Sequence, residues 1–278
     1  MQLGKKNILN ITAITDTGYL LEDADSKDIL LPLTESVDQL NVGDSLEVFV
    51  FRDNKNRLTA TTRTATVSYE QFAYLKVKDI NKVGAFMDWG IPKDLLVPYA
   101  EQTEEMVVGN RYLIFMLLDE ETNRLIGSCK ENEFILFDTD RIKLEIGDKV
   151  DLLLFNKTEL GINAIVNNMY KGLIFNSDIH KDIKPGDQLK GYVKKVRDDG
   201  HIDLLLEPLG YKKSIDPTTQ TILSALSENN ECLYLTDKSS PEAIKKQLGL
   251  SKKAFKRGLG NLYKQKKITI LDDCIRLV

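Results

Sequence analysis

Histidine and cysteine are nearly missing from this 278-residue chain, and so is the chemistry they would build. The two histidines, His180 and His201, leave little material for imidazole catalysis or metal ligation. The three cysteines, Cys129, Cys232 and Cys274, are odd in number and form no CxxC pair. That argues against a disulfide framework or a zinc site and fits a reducing cytoplasm. No apolar run is long enough to cross a bilayer. The N-terminal MQLGKKNILNITAIT has two lysines but no continuous apolar stretch of a signal peptide. A phosphate-binding glycine loop, a dinucleotide fingerprint and a Ser/His/Asp constellation are absent too. Asp88 and Asp94 come nearest to a paired-carboxylate metal site, but acidic loop residues at this density are commonplace. The expectation is a binding protein that is not an enzyme, with no cofactor and no metal.

What is present is an ordinary globular composition, 42% hydrophobic and 29% charged, with charge distributed unevenly. Residues 1–65 carry seven Lys/Arg against ten Asp/Glu, a net of −3. Residues 66–143 carry nine against fourteen, and residues 144–211 nine against eleven, nets of −5 and −2. Residues 212–278 carry thirteen against seven, a net of +6. A basic C-terminal segment on an acidic chain points to a polyanionic partner.

The chain also repeats itself. At an offset of 66, Gly18 falls under Gly84, Asp28 under Asp94, Pro32 under Pro98, Glu35 under Glu101, Gly43 under Gly109 and Asp53 under Asp119. After a one-residue slip, Arg57-Leu58 falls under Arg124-Leu125. A fainter third copy lies at an offset of 77, with Gly161 under Gly84, Asp178 under Glu101 and Gly186 under Gly109. The middle copy predicts strands over 72–80, 84–89, 94–98, 111–118 and 124–129. Five short strands in about 65 residues, with a short helical turn after the third, predict a small closed Greek-key barrel of the OB type. Glycine opens the second strand, where the wall bends and a Cβ has no room. Alternation keeps Phe86 and Trp89 off one face, so Trp89, the only tryptophan, is expected in the core.

The segments VKDINKVGAFMDWG and DLLVPYAE, followed by a Gly-led strand and Asn-Arg-Leu, resemble the S1-type RNA-binding domain of ribosomal proteins. The resemblance implies single-stranded RNA on one barrel face, met by aromatics of the second and third strands and by basic residues near the closing hairpin. Carried over by position, it implies Phe86 and Arg124 in the second unit and Tyr19 and Arg57 in the first. Lys194 and Lys195 are the candidates in the more divergent third unit, where His201 stands in place of Arg124.

Beyond Pro217 the pattern becomes helical. Ile222, Leu223 and Leu226 share a face. Ser240 is a predicted N-cap with Pro241 behind it, Ser239 and Glu242 have capping-box spacing, and Gly249 stops the helix. Ser251 opens a longer helix to about residue 265, with Phe255, Leu259 and Leu262 on its apolar face. Lys252, Lys253, Lys256, Arg257 and Lys264 lie mostly on its other faces, where they are candidates for docking phosphates. Ile268–Leu271 and Cys274–Leu277 predict a hairpin, giving a winged helix. Three S1-like barrels (1–65, 66–143, 144–211) followed by a winged-helix domain (212–278) resemble the conserved virulence factor B (CvfB) family of Gram-positive bacteria. The match is carried by DKSSPEAIKKQLGLSKKAFKRGLGNLYKQKKI and GAFMDWGIPKDLLVP. It implies a cytoplasmic RNA-binding protein that influences gene expression, virulence-associated genes included. Alternatives left open are a scaffold docking on the ribosome or transcription machinery, and DNA binding through the winged helix.

Acidic barrels place much of the positive charge on the C-terminal domain. Charge reversal at Lys252, Lys253, Lys256 and Arg257 is therefore expected to weaken RNA binding and flatten its salt dependence in a fluorescence-anisotropy titration. An unchanged affinity and slope contradict the expectation.

Overall fold

The computed structural model describes residues 1–22, 28–35, 40–208, 217–229, 232–264 and 266–277. These form two compact units, Met1–Leu206 and Glu207–Val278. The expected boundary near residue 212 lies outside the described residues.

The first unit holds three closed five-stranded barrels with identical strand order. Barrel 1 comprises β1 (Lys6–Thr15), β2 (Gly18–Glu22), β3 (Ile29–Pro32), β4 (Ser45–Arg52) and β5 (Leu58–Thr61). Barrel 2 comprises β6 (Phe72–Asn81), β7 (Gly84–Asp88), β8 (Leu95–Pro98), β9 (Arg111–Asp119) and β10 (Arg124–Ser128). Barrel 3 comprises β11 (Lys149–Lys157), β12 (Gly161–Val166), β13 (Tyr170–Phe175), β14 (Gln188–Val196) and β15 (Ile202–Leu205). All pairings are antiparallel except the third strand with the fifth, which closes each barrel in parallel.

The repeat read from sequence is a repeat of backbone geometry. Gly18, Gly84 and Gly161 open the second strand of their barrels. A Cβ there would sit 2.1, 2.2 and 1.9 Å from the carbonyl oxygens of Leu31, Val97 and Ile174 on the third strand. Those distances are far inside van der Waals contact, so only glycine lets the two strands pair at this corner. The first strand of each barrel bulges at the same place, between Ile11 and Ala13, Val77 and Asp79, and Leu154 and Asn156. There a second glycine donates its N–H to the bulged strand: Gly43 to Ile11 O (2.8 Å), Gly109 to Val77 O (2.9 Å) and Gly186 to Leu154 O (2.6 Å). Bulge and glycine corner together bend five short strands into a closed wall with no free edge.

Two aromatic junctions join the barrels. Between barrels 1 and 2, Phe49 and Phe51 of β4 pack on Val67, Trp89 and Ile91. Trp89 is 2% exposed, as expected of a core residue. Its ring meets Phe49 edge-on at 5.5 Å, and its Nε1–H donates to the Lys93 carbonyl. Between barrels 2 and 3, Phe72 and Phe115 meet Phe134, Ile135, Leu153, Phe155 and Ile165. Phe115 and Phe134 stack at 4.1 Å. Asn168, at φ 57°, accepts from Phe72 N (2.6 Å) and donates to Glu70 O (2.8 Å), pinning the β12–β13 turn to the start of β6. Phe134 and Ile135 come from residues 129–148, a connection longer than the one over 62–71 that joins the first two barrels.

In the second unit, α1 (Pro217–Glu228), α2 (Pro241–Leu248) and α3 (Lys252–Lys264) pack Ile222, Leu226, Ile244, Phe255, Leu259 and Leu262 together. A three-stranded sheet covers one end: β16 (Cys232–Leu233), β17 (Ile268–Ile270) and β18 (Ile275–Leu277), with β18 central. Two residues are too short a run for β16 to show in the sequence pattern. The Ser240 hydroxyl caps α2 by accepting from Ala243 N (3.2 Å), and Ser251 caps α3 by accepting from Ala254 N (3.2 Å). The capping box expected of Ser239 and Glu242 does not form, because Ser240 is the cap and Ser239 accepts from Thr236 N instead (2.8 Å). Gly258 lets α3 approach α1, since a Cβ there would lie 2.7 Å from Ile222 Cδ1.

The two glycine types of the repeat separate sterics from backbone preference. Gly84→Ala drives a methyl into a backbone carbonyl and should cost roughly 3 kcal/mol or more. Gly109→Ala at φ +91° meets nothing within 4 Å and should cost only about 1 kcal/mol. Urea unfolding followed by Trp89 fluorescence measures both, and equal losses contradict the steric account.

Candidate nucleic-acid interface

Strand register defines an outward-facing row on each barrel. In barrel 1 it runs Leu20–Leu30–Thr59 across β2, β3 and β5. In barrel 2 it runs Phe86–Leu96–Ile126, and in barrel 3 Asn163–Leu173–Asp203. Leu20, Phe86 and Asn163 are the partly exposed positions between buried neighbours, as alternation requires. Barrel 2 thus presents an aromatic and two aliphatic side chains in line, a surface on which a base stacks without sequence preference.

Phe86 therefore lies on the outer wall. Tyr19 does not: it is 7% exposed and belongs to the core of barrel 1 with Leu21, Ile29 and Val50. It directly follows the corner glycine and so occupies the inward place of Ala85, while Leu20 takes the place of Phe86.

Arg57 and Arg124 sit at closing hairpins, with different duties. The Arg57 guanidinium grips Asp53, with Nη2 at 2.7 Å and Nε at 2.9 Å. Burial opposes ionisation of Asp53, but hydrogen bonds from Arg57 and from the Lys55 N–H hold its carboxyl below its ordinary value. Arg124 instead points to the barrel 1 hairpin, where its Nε lies 3.5 Å from Asn56 Oδ1. His201, in the corresponding place of barrel 3, packs on Phe137 at 5.1 Å.

Barrel 3 carries an aromatic–cation cluster. Phe175 ends β13, and both Lys194 Nζ and Arg197 lie 5.6 Å from its ring centroid. Lys194 is paired with Asp178 (2.8 Å) and Arg197 with Asp203 (2.6 Å). Lys195 is exposed beyond the bulge of β14. Phe175 and Arg197 are not among the binding candidates that the sequence nominates. Phe175 stands where barrel 2 has Pro98, and the approach of Arg197 depends on pairing across β13, β14 and β15. On α3, Lys253, Lys256, Arg257 and Lys264 are exposed and Lys252 is partly so, while Lys256 lies 3.8 Å from Asp237. Among the described residues, no three His, Cys, Asp or Glu side chains are grouped to hold a metal ion, and no helix is long and apolar enough to cross a membrane.

Comparison with known proteins matches residues 3–63 to the S1 domain family and residues 220–277 to the CvfB-like winged helix domain. The C-terminal match is to a CvfB-like domain. Conserved virulence factor B from Staphylococcus aureus strains N315 and COL is 27% identical over 279 aligned residues, 96% of this chain and 91% of the relative. A crystal structure of a multidomain protein with nucleic acid binding domains from Streptococcus pneumoniae aligns with 99% of this chain and 98% of its own, at 26% identity and a TM-score of 0.45. The similarity to conserved virulence factor B covers 96% of the chain, as the resemblance read from sequence leads one to expect, and the S1 and winged-helix domain types point to nucleic-acid binding.

Burial separates core from interface among the aromatics. Tyr19→Ala should destabilise the protein by about 3 kcal/mol in urea unfolding. At temperatures where it stays folded, its affinity for nucleic acid should match that of the parent; a binding defect without destabilisation returns Tyr19 to the interface.

Proposed function

We propose that this protein is a non-catalytic, cytoplasmic, single-stranded RNA-binding regulator of gene expression that acts post-transcriptionally. The barrels, proposed to span 1–65, 66–143 and 144–211, supply stacking surfaces. The winged-helix domain of 212–278 supplies cationic contacts through Lys252, Lys253, Lys256, Arg257 and Lys264. The observation that carries this reading is the Phe175–Lys194–Arg197 cluster on the outer wall of barrel 3. There an aromatic face lies beside two cations, the pairing that a stacked base and its flanking phosphate require. Arg197 and Lys194 hold carboxylates in the free protein, and a phosphate competes with Asp203 and Asp178 for the same donors. Phe86 with Leu96 and Ile126 is the equivalent platform on barrel 2. The similarity to conserved virulence factor B extends the proposal to control of virulence-associated genes.

Binding of homopolymer RNAs to the full chain, with a salt titration and a duplex DNA competitor, tests the proposal. Single-stranded RNA should bind with a steep salt slope, and Phe175→Ala should weaken it by about 1–3 kcal/mol. Preference for duplex DNA shifts the function to the winged helix as a DNA reader. Co-sedimentation with ribosomes or polymerase that survives RNase replaces it with protein docking.

A further inference from the structure

We propose that the notch where the closing hairpin of barrel 1 meets barrel 2 binds a phosphate of the RNA strand through Arg52, Lys93 and Arg124. The inference rests on the RNA-binding reading and gives the first two barrels a charged contact of their own. Lys93, half-buried between β7 and β8, donates from Nζ to the carbonyls of Arg52 (2.7 Å) and Asp53 (3.2 Å). Arg52 Nη1 donates to Asn56 O (2.9 Å), while its Nε is buried with no hydrogen-bond partner among the described residues. Arg124 reaches the same hairpin, and its contact with Asn56 Oδ1 is long at 3.5 Å.

Three cationic side chains thus converge on residues 52–56. The carboxylates nearby are engaged elsewhere: Asp53 accepts from Arg57 and from the N–H groups of Lys55 and Arg57, and Asp94 accepts from Lys78 (2.9 Å). Burial, and then the neighbouring Arg124 charge, push the Lys93 ammonium below its ordinary pKa, with Asp53 only partly opposing them. Like charges gathered around a buried, unpaired N–H cost free energy that an anion relieves. Two guanidinium groups and an ammonium suit a phosphate, which accepts from several donors at once. The place is also right for a polymer. Arg124 lies two residues before Ile126 on β10, so a phosphate in the notch leaves the next base beside the Phe86–Leu96–Ile126 row. A compact positive site in two barrels of net −3 and −5 accounts for how RNA approaches a surface that otherwise repels it.

Trp89 reports on the notch, since its indole N–H is bonded to the Lys93 carbonyl. The experiment titrates the full chain with oligouridylate and, separately, with inorganic pyrophosphate, reading Trp89 emission and the salt slope. It compares the parent with Lys93→Met, Arg124→Gln and the double variant, each checked for folding by thermal unfolding. The Arg124→Gln variant guards against a folding defect at Lys93, because among the described residues the Arg124 side chain makes a single, long hydrogen bond, to Asn56. The expected result is a Trp89 response to RNA in the parent, lost in the double variant, with the salt slope lowered by about 0.7 for the one phosphate given up. RNA binding with parental slope and parental Trp89 response in the double variant overturns the notch and leaves the RNA-binding reading intact. Absence of RNA binding by the parent overturns that reading. The pyrophosphate arm then decides the notch: a Trp89 response abolished in the double variant retains it as a site for a free phosphate, and no response discards it.

Discussion

A bare Cα pressed against a backbone carbonyl is the contact on which this molecule depends. Gly18, Gly84 and Gly161 each bring the start of the second strand to within a methyl's width of the third. That approach fixes the hairpin register, which in turn selects the residues that face outward. Without it the third strand would not reach the fifth in parallel, and each five-stranded sheet would keep two open edges. The outer rows inherit their composition from this geometry, because the second residue after the glycine always faces outward.

The barrels share a frame but divide the work. Barrel 1 offers two leucines and a buried threonine, barrel 2 an aromatic row, and barrel 3 an aromatic flanked by cations. The surfaces between them are occupied by aromatic packing and by side-chain bonds to backbone. Trp89 is buried in the first of those junctions, and Asn168 commits its side-chain amide to the backbone of Glu70 and Phe72 in the second. Surface available for a ligand is therefore narrower than three separate barrels would present, and the acidic charge of the first two narrows it further.

Much of this was legible in the sequence because glycine and strand alternation speak locally. Strand limits in the middle unit fell within a residue or two, and the caps of α2 and α3 at Ser240 and Ser251 were plain from residue type and spacing. Tyr19 shows how a local rule is misapplied. Following a family pattern assigned it to the surface, whereas counting from the glycine would have put Leu20 there. Ser239 with Glu242 had capping-box spacing, but the neighbouring Ser240 was better placed to meet the first N–H groups. The cationic partners of Phe175, and the roles of Arg197, Arg52 and Lys93, were illegible for a different reason. Each residue acquires its role from a chain segment distant in sequence, through a parallel pairing or an inter-barrel bond that no window of neighbouring residues encodes.

The stretch over 129–148 has a consequence for how such a chain could have arisen and could be rearranged. A tandem duplication produces identical copies with identical spacers, yet the third copy is displaced by 77 residues where the second is displaced by 66. The added length supplies Phe134 and Ile135, which act as mortar between the apolar faces of the two bricks. Barrels 2 and 3 are consequently not interchangeable modules. A recombination event that moved barrel 3 into another protein without this spacer would strand an apolar patch on each side of the cut, so the heritable unit here is the barrel together with its mortar.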